Sequence, residues 1–299
     1  MDELELANRF DRERPQLRAV AYRILGSLSD ADDAVQEGWL RLRRADPKHI
    51  DSLERWLTTV VARICLNMLR SRRTRAEQPL EALRPEPIID NPTAETDPEH
   101  EALLADSVGI ALQVVLDTLT PAERLAFVLH DMFAVPFDEI AAMVGRSPQA
   151  TRQLASRARR RVHDAAPPPD PDLARQHAVV EAYFAAAREG DFDALVAVLD
   201  PGVVLRAHRR DGDPLELRGA SRVARGALSA QRFAPYVRPA LVNGAAGVVA
   251  FDREQPFAVL AFTVVGDRAV TIDVFNDPEL VAKLDIRGIT AEQRPERQH

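Results

Sequence analysis

Cysteine, lysine and long apolar runs are scarce in this chain, and each scarcity narrows what it can be. A single cysteine, Cys65, excludes an internal disulfide and a cysteine-rich zinc site. The histidines (His49, His100, His130, His163, His177, His208 and His299) are scattered without metal-ligand spacing, so neither a metal nor a cofactor is expected. No apolar run approaches the length of a bilayer span, and the opening MDELELANRFDRERPQ is charged throughout, unlike a signal peptide. A cytoplasmic location is the expectation. Lysine occurs only at Lys48 and Lys283, an imbalance that reads mainly as genome composition, with a slight gain for phosphate recognition by arginine. No internal repeat is visible.

What is present suits two or three domains: 299 residues, 46% hydrophobic and 28% charged, with a net charge of -7. That total hides a pattern along the chain. Residues 55–75 hold six arginines and no acid, residues 76–106 hold nine acids against Arg84 alone, and GRSPQATRQLASRARRRVH (145–163) holds six more arginines. Electrostatic binding to nucleic acid depends on the local patch, so overall acidity is no obstacle. The acidic spacer carries Pro79, Pro85, Pro87, Pro92 and Pro98, which forbids a continuous helix and leaves little from which to build a core. AAPPPDP (165–171) reads as a semi-rigid connector. The expected modules are 1–75, 107–164 and 172–299, joined by linkers at 76–106 and 165–171.

The first module opens with two helices separated at Gly26-Ser27, with Ser29 or Asp30 expected to cap the second. In SLERWLTTVVARICLNMLRSRRTR, the residues Leu57, Val60, Val61, Ile64, Cys65, Met68 and Leu69 form one apolar helical face, placing Cys65 in a core. Thr59, Arg63, Asn67 and Arg70 form a polar ridge opposite. A solvated face of a helix bundle would read the same way; the adjacent Arg72, Arg73 and Arg75 favour nucleic acid.

The second module carries the strongest signal. Thr120, Pro121 and Glu123 predict a capping box, PFDEIAAMVG a short helix ending at Gly145, and Ser147-Pro148 the start of a basic third helix. Short helix, glycine turn and capped basic helix form a helix-turn-helix pattern. On the third helix Thr151, Leu154, Ala155, Ala158 and Val162 face inward. Gln149, Arg152, Gln153, Ser156, Arg157 and Arg160 face outward, the first of them suited to base edges and the later arginines to phosphates. Residues 145–163 contain no acid to pair with Arg157, Arg159, Arg160 and Arg161, and Asp164 just beyond is one acid against four arginines, which argues against a salt-bridged surface helix.

Taken in order, SDADDAVQEGWLRLRR, RWLTTVVARICLNMLRSRR and the helix-turn-helix resemble the two domains of bacterial sigma factors of the extracytoplasmic-function (ECF) group over about the first 164 residues. The resemblance implies that Asp30, Asp33, Gln36, Glu37 and Trp39 dock on core RNA polymerase. It implies that Arg63, Asn67 and Arg70, with Arg72 and Arg73, meet the −10 promoter element. Gln149, Arg152, Gln153, Ser156, Arg157 and Arg160 would meet the −35 element of promoter DNA. In such proteins the free factor binds promoter poorly.

The third module reads as helices followed by strands at ALVNGAAGVVAFD, FAVLAFTVVGD and AVTIDVFND, an α+β cone. The expected fold is therefore multidomain: two all-α domains followed by an α+β domain that resembles the SnoaL-like, nuclear-transport-factor-like (NTF2-like) fold. A subgroup of ECF sigma factors has such a tail, which tunes activity in cis. Its short signatures, approximately WLPEP, DGGG and NPDKL, are matched in part by LRPEP (83–87), DGDP (211–214) and NDPELVAKL (276–284). Tyr183, His208, Asp211 and Asp273 are candidates for a pocket or regulatory surface. Three alternatives stay open: an unidentified small ligand in this tail, a ligand-responsive helix-turn-helix repressor or activator, and an enzyme residing in the tail. No convincing catalytic set supports the last.

Overall fold

The computed structural model describes residues 3–45, 50–76, 86–91, 109–165, 169–208, 215–286 and 289. These divide into two compact units. Among the described residues the first takes 3–76, 86 and 112–165, and the second takes 87–91, 109–111 and the chain from 169 onward.

The first unit is helical. Helices α1 (Glu3–Leu25), α2 (Leu28–Arg44) and α3 (Leu53–Ala76) pack against one another. Gly26, at φ 77°, ends α1. Because the turn is complete at that residue, Ser27 is already extended and caps α2, its hydroxyl accepting the Asp30 N–H. The expected cap at Ser29 or Asp30 lies two to three residues too late. Leu17, Tyr22, Ile24, Leu57, Val61 and Cys65 are buried together in the hydrophobic interior, and burial pushes the Cys65 thiol well above its ordinary pKa. Helix α2 approaches α3 closely at Gly38, where an added Cβ would lie 2.9 Å from the Val61 side chain.

Helices α4 (Gly109–Asp117), α5 (Pro121–Phe127), α6 (Phe137–Val144) and α7 (Pro148–Ala165) follow, with a π turn at Val128–Met132 extending α5. Each expected punctuation mark is in place. Thr120 and Glu123 complete a reciprocal capping box, Gly145 ends α6 at φ 70°, and the Ser147 hydroxyl accepts the Ala150 N–H at 3.2 Å. The tethered arrangement expected for the two helical modules is not what the structure has: α3 packs on α5 and α6 within a single unit.

The second unit is α+β. After α8 (Leu173–Glu189) and α9 (Phe192–Ala197), the strands β2 (Leu199–His208) and β3 (Leu215–Arg218) precede α10 (Ala220–Ser229). Strands β4 (Val237–Val242), β5 (Ala245–Asp252), β6 (Gln255–Val265) and β7 (Arg268–Phe275) lead to α11 (Pro278–Lys283). With β1 (Ile89–Asp90) the sheet runs β1-β4-β5-β6-β7-β2-β3, antiparallel except for β2 against β7. One face packs Val180, Tyr183 and Phe184 of α8 against Val203, Phe262 and Ile272. The other gathers Val242, Val249, Phe251, Val259 and Phe275, with Leu280 and Leu284 beside them.

Two sequence expectations need correction here. ALVNGAAGVVAFD is not one strand but the β4–β5 hairpin, turning at Asn243 (φ 50°) and Gly244 (φ 74°), an Asn-Gly turn that matches the twist of its flanking strands. The acidic spacer, expected to have little from which to build a core, supplies β1. Ile88 and Ile89 are buried, Ile89 pairs with Val242, and Asn243 holds the Ile88 backbone at both its N–H and its carbonyl, each at 2.8 Å.

Candidate functional site

Helix α7 presents the face expected to read the −35 element. Thr151, Leu154, Ala155 and Ala158 are buried, while Gln149, Arg152, Gln153, Arg157 and Arg160 are exposed and Ser156 is half-buried. Capping fixes where the helix begins, and its inward apolar stripe fixes which side faces out. The Arg152 guanidinium sits 5.7 Å from the Phe137 ring centroid, over α6, which pre-orders a long side chain at the helix start.

The absence of acid partners, inferred from local sequence, does not hold. Arg157 and Arg161 both reach Glu123, at 3.3 and 3.5 Å, and Arg159 reaches Asp131 at 2.6 Å. The partners lie 28 to 38 residues away in sequence and only the fold brings them close. Burial of Glu123 tends to raise its pKa. Hydrogen bonds from the Thr120 hydroxyl and backbone, with the charges of Arg161 and Arg157, outweigh that and hold it below its ordinary value. The acids anchor the rear of the basic helix, leaving Gln149, Arg152 and Gln153 at its front.

On α3, Arg63, Asn67 and Arg70 are exposed on one ridge, as expected. Arg72 is half-buried and ion-paired with Asp30, and it also donates to the Leu25 carbonyl at 3.4 Å. A residue expected to meet DNA and one expected to meet polymerase thus neutralise each other at the α1–α2 junction. The side chain of Arg73 lies outside the described residues. On α2, Asp33 and Gln36 are exposed; Glu37 is half-buried and pairs with Arg41 at 2.9 Å. Trp39 is half-buried against Phe10, ring centroids 5.0 Å apart.

The two helical modules meet through polar contacts that sequence reasoning missed. Arg124 of α5 is 2% exposed; it pairs with Asp117 and donates from both Nε and Nη2 to the Arg23 carbonyl at 3.3 Å, close to the C-terminus of α1. Gly26 leaves the space this needs, since a Cβ there would approach Gln113 to 2.8 Å and Arg124 to 3.2 Å. Arg63 donates to the Ala142 carbonyl of α6 at 3.3 Å, and Arg55 pairs with Glu139 at 2.8 Å. An arginine buried with a complete set of acceptors fixes one packing of the modules, whereas the exposed pairs contribute little.

In the second unit the three described pocket candidates, Tyr183, His208 and Asp273, do not converge on one site. Tyr183 packs edge-on between Phe184 and Phe262, on the face covered by α8, and burial pushes its hydroxyl pKa upward. His208 and Asp273 do meet, Nε2 to Oδ1 at 3.0 Å, with the imidazole stacked on Phe275. Strand alternation puts them on the opposite face from Tyr183: Ile272 and Val274 point toward α8, so Asp273 and Phe275 point away. The sheet therefore separates the aromatic candidate from the His–Asp pair. Asp211 lies outside the described residues, as do Leu83–Pro85 of LRPEP and all of DGDP. The third signature stretch is a capped helix start, Asp277 accepting the N–H groups of Glu279 and Leu280.

Comparison with known proteins bears on the whole chain. Residues 9–75 match the family model for Sigma-70 region 2, and residues 110–162 match that for Sigma-70, region 4. The chain is 41% identical over 287 residues to the ECF RNA polymerase sigma factor SigJ of Mycobacterium tuberculosis, covering 93% of this chain and 90% of that protein. It is 34% identical to a probable ECF RNA polymerase sigma factor, SigI, of the same species, covering 91% of this chain and 93% of the other. A crystal structure of M. tuberculosis SigJ superposes with a TM-score of 0.75 at 34% identity, covering 94% of this chain and all of that one. The alternatives of an operator-binding repressor and a tail-borne enzyme give way to this finding. With its two sigma-region helical modules followed by an α+β domain, the chain belongs to the family of ECF RNA polymerase sigma factors, non-enzymatic factors of transcription initiation.

Proposed function

We propose that residues 1–75 engage core RNA polymerase and the −10 element, that 107–164 read the −35 element, and that 172–299 regulate both in cis. The partners are core polymerase and promoter DNA, which implies a cytoplasmic site of action. Asp33 and Gln36 on α2, with Asp30, Glu37 and Trp39, meet polymerase. Arg63, Asn67 and Arg70 of α3 meet the −10 region, with Arg72 and Arg73 beside them. Gln149, Arg152 and Gln153 contact base edges, and Ser156, Arg157 and Arg160 the flanking phosphates. The observation that carries this reading is the exposed Gln149–Arg152–Gln153 front of a helix whose rear is anchored by Glu123 and Asp131.

The free factor is a closed form. Elements named −35 and −10 differ by about 25 base steps, about 85 Å along a duplex rising 3.4 Å per step. Helices joined by the Arg63–Ala142 hydrogen bond cannot reach both at once. Core polymerase must separate the modules, freeing Arg63 and breaking the Arg124 contact with Arg23. The tail has a physical handle on that step, because β1 belongs to the segment joining the two modules yet is a strand of the tail's sheet. The test is run-off transcription with core polymerase on the gene's own upstream region. Protein-dependent transcripts are expected, and Arg152→Ala should weaken recognition at one −35 position while leaving others unchanged. Equal weakening on every sequence would make Arg152 a phosphate contact, and absence of any transcript with bound core would contradict the assignment.

A further inference from the structure

Outside the sheet interior, the second unit has a cleft of about 480 Å³ between the N-terminus of α10 and the beginning of β2. Four arginines line it, brought from three separate elements: Arg218 from the end of β3, Arg222 and Arg225 from α10, and Arg268 from the start of β7. Arg218 pairs with Glu216, but among the described residues Arg222, Arg225 and Arg268 have no ion pair and no carboxylate lines the cleft. Arg222, Arg225 and Arg268, like charges without an acid partner among the described residues, repel one another, an arrangement that an anion would relieve.

The backbone adds donors aimed at the same place. Gly219 precedes α10 at φ 90°, a conformation that favours glycine, and is held there by its N–H bond to the Val203 carbonyl at 2.8 Å. No side chain caps the helix. The N–H groups of Arg222 and Val223 bond to the Gly219 carbonyl, while those of Ala220 and Ser221 have no hydrogen bond among the described residues. Opposite them, a bulge in β2 between Leu199 and Val204 swings Pro201 toward the cleft, which with Val196 and Leu199 gives it an apolar wall.

We propose that this cleft binds a small phosphorylated ligand, its phosphate on Arg222, Arg225 and Arg268 and the α10 amides, its less polar part on Val196 and Pro201. Planar guanidinium groups pair bidentately with phosphate oxygens, and free helix-start amides add uncharged donors. A concave cleft with an apolar side suits a small molecule better than a convex duplex. The inference stands independently of the promoter-reading assignments, since none of these residues belongs to α3 or α7.

The test is calorimetric titration of the full-length protein with sodium pyrophosphate at fixed ionic strength. Saturable one-site binding is expected, weakened about tenfold or more in the double variant Arg222→Gln/Arg225→Gln and in Arg268→Gln. Arg188→Gln, at an exposed arginine paired with Glu181 and not lining the cleft, should leave it unchanged. Unaltered denaturation midpoints would show that the variants fold. Absence of saturable binding, or binding that the double variant retains, overturns the proposal. A non-promoter duplex of about 20 base pairs provides the other arm, its affinity expected to be the same for wild type and double variant. Loss of duplex affinity in the double variant, without any pyrophosphate site, would assign the cleft to the DNA backbone and overturn the small-ligand reading.

Discussion

Helices α3 and α7 are both arginine-rich, yet their arginines are held in opposite ways. On α7 the pairing stays inside one module: Arg157 and Arg161 meet Glu123, and Arg159 meets Asp131. On α3, apart from Arg72, which pairs with Asp30 inside the first module, it crosses between modules: Arg55 meets Glu139 and Arg63 meets the Ala142 carbonyl. Contacts inside a module survive its movement as a body, whereas contacts across modules do not. On the proposed assignment, the −35 reader would be built before the factor meets polymerase, and the −10 reader completed only when the modules separate.

The sharpest way to break this comparison is at Arg124, where the crossing contact is buried. Arg124→Ala removes the buried guanidinium that donates to Asp117 and to the Arg23 carbonyl, and should destabilise the first unit by about 3–5 kcal/mol in urea denaturation. A loss below about 1 kcal/mol would mean that the contact does not hold the modules.

Next is Arg152→Ala, expected to cost about 1–3 kcal/mol at a single −35 base pair if it reads a base edge, measured by substituting each position of the element in turn.

Glu123→Ala removes the reciprocal cap and the acid shared by Arg157 and Arg161, and should cost about 1–2 kcal/mol of stability. Its pH dependence has a definite sign. A carboxyl whose folded pKa is depressed contributes stability above its unfolded value, and that contribution is lost as pH falls through the folded pKa. Wild type should therefore lose stability as pH drops below the ordinary value of 4.5, and the variant should lose less over the same window.

The smallest effect belongs to Arg63→Ala. Its exposed hydrogen bond should be worth less than about 0.5 kcal/mol to folding, while −10-dependent transcription falls measurably. Equal loss of both would make Arg63 a structural residue.

What the sequence made legible was local. The capping box at Thr120, the turn at Gly145, the cap at Ser147 and the polar ridge Arg63–Asn67–Arg70 depend on residues within a few positions of each other, and all are present. Pairings that only the fold creates were not legible: Glu123 with Arg157 spans 34 residues, and Arg124 with the Arg23 carbonyl spans 101. Two signals were present but misread. Asn243-Gly244 marks a hairpin inside a stretch taken as one strand. The period-two alternation of β7 already sets Asp273 opposite Ile272 and Val274, so a pocket joining Asp273 to Tyr183 conflicts with strand geometry. The spacer strand was hidden for a different reason. Proline and acidic composition describe most of residues 76–106, and two buried isoleucines within them are enough to extend a sheet whose edge is waiting.

Separation of the modules is the central claim, and one distance tests it. Cys65 is fully buried with its thiol pKa raised, so Arg12→Cys on α1 and His163→Cys on α7, both at exposed positions, can be labelled without it. Energy transfer between the two dyes should be high in the free factor and should fall when core polymerase and promoter DNA are added. Transfer that stays unchanged in a transcriptionally active complex would contradict the account.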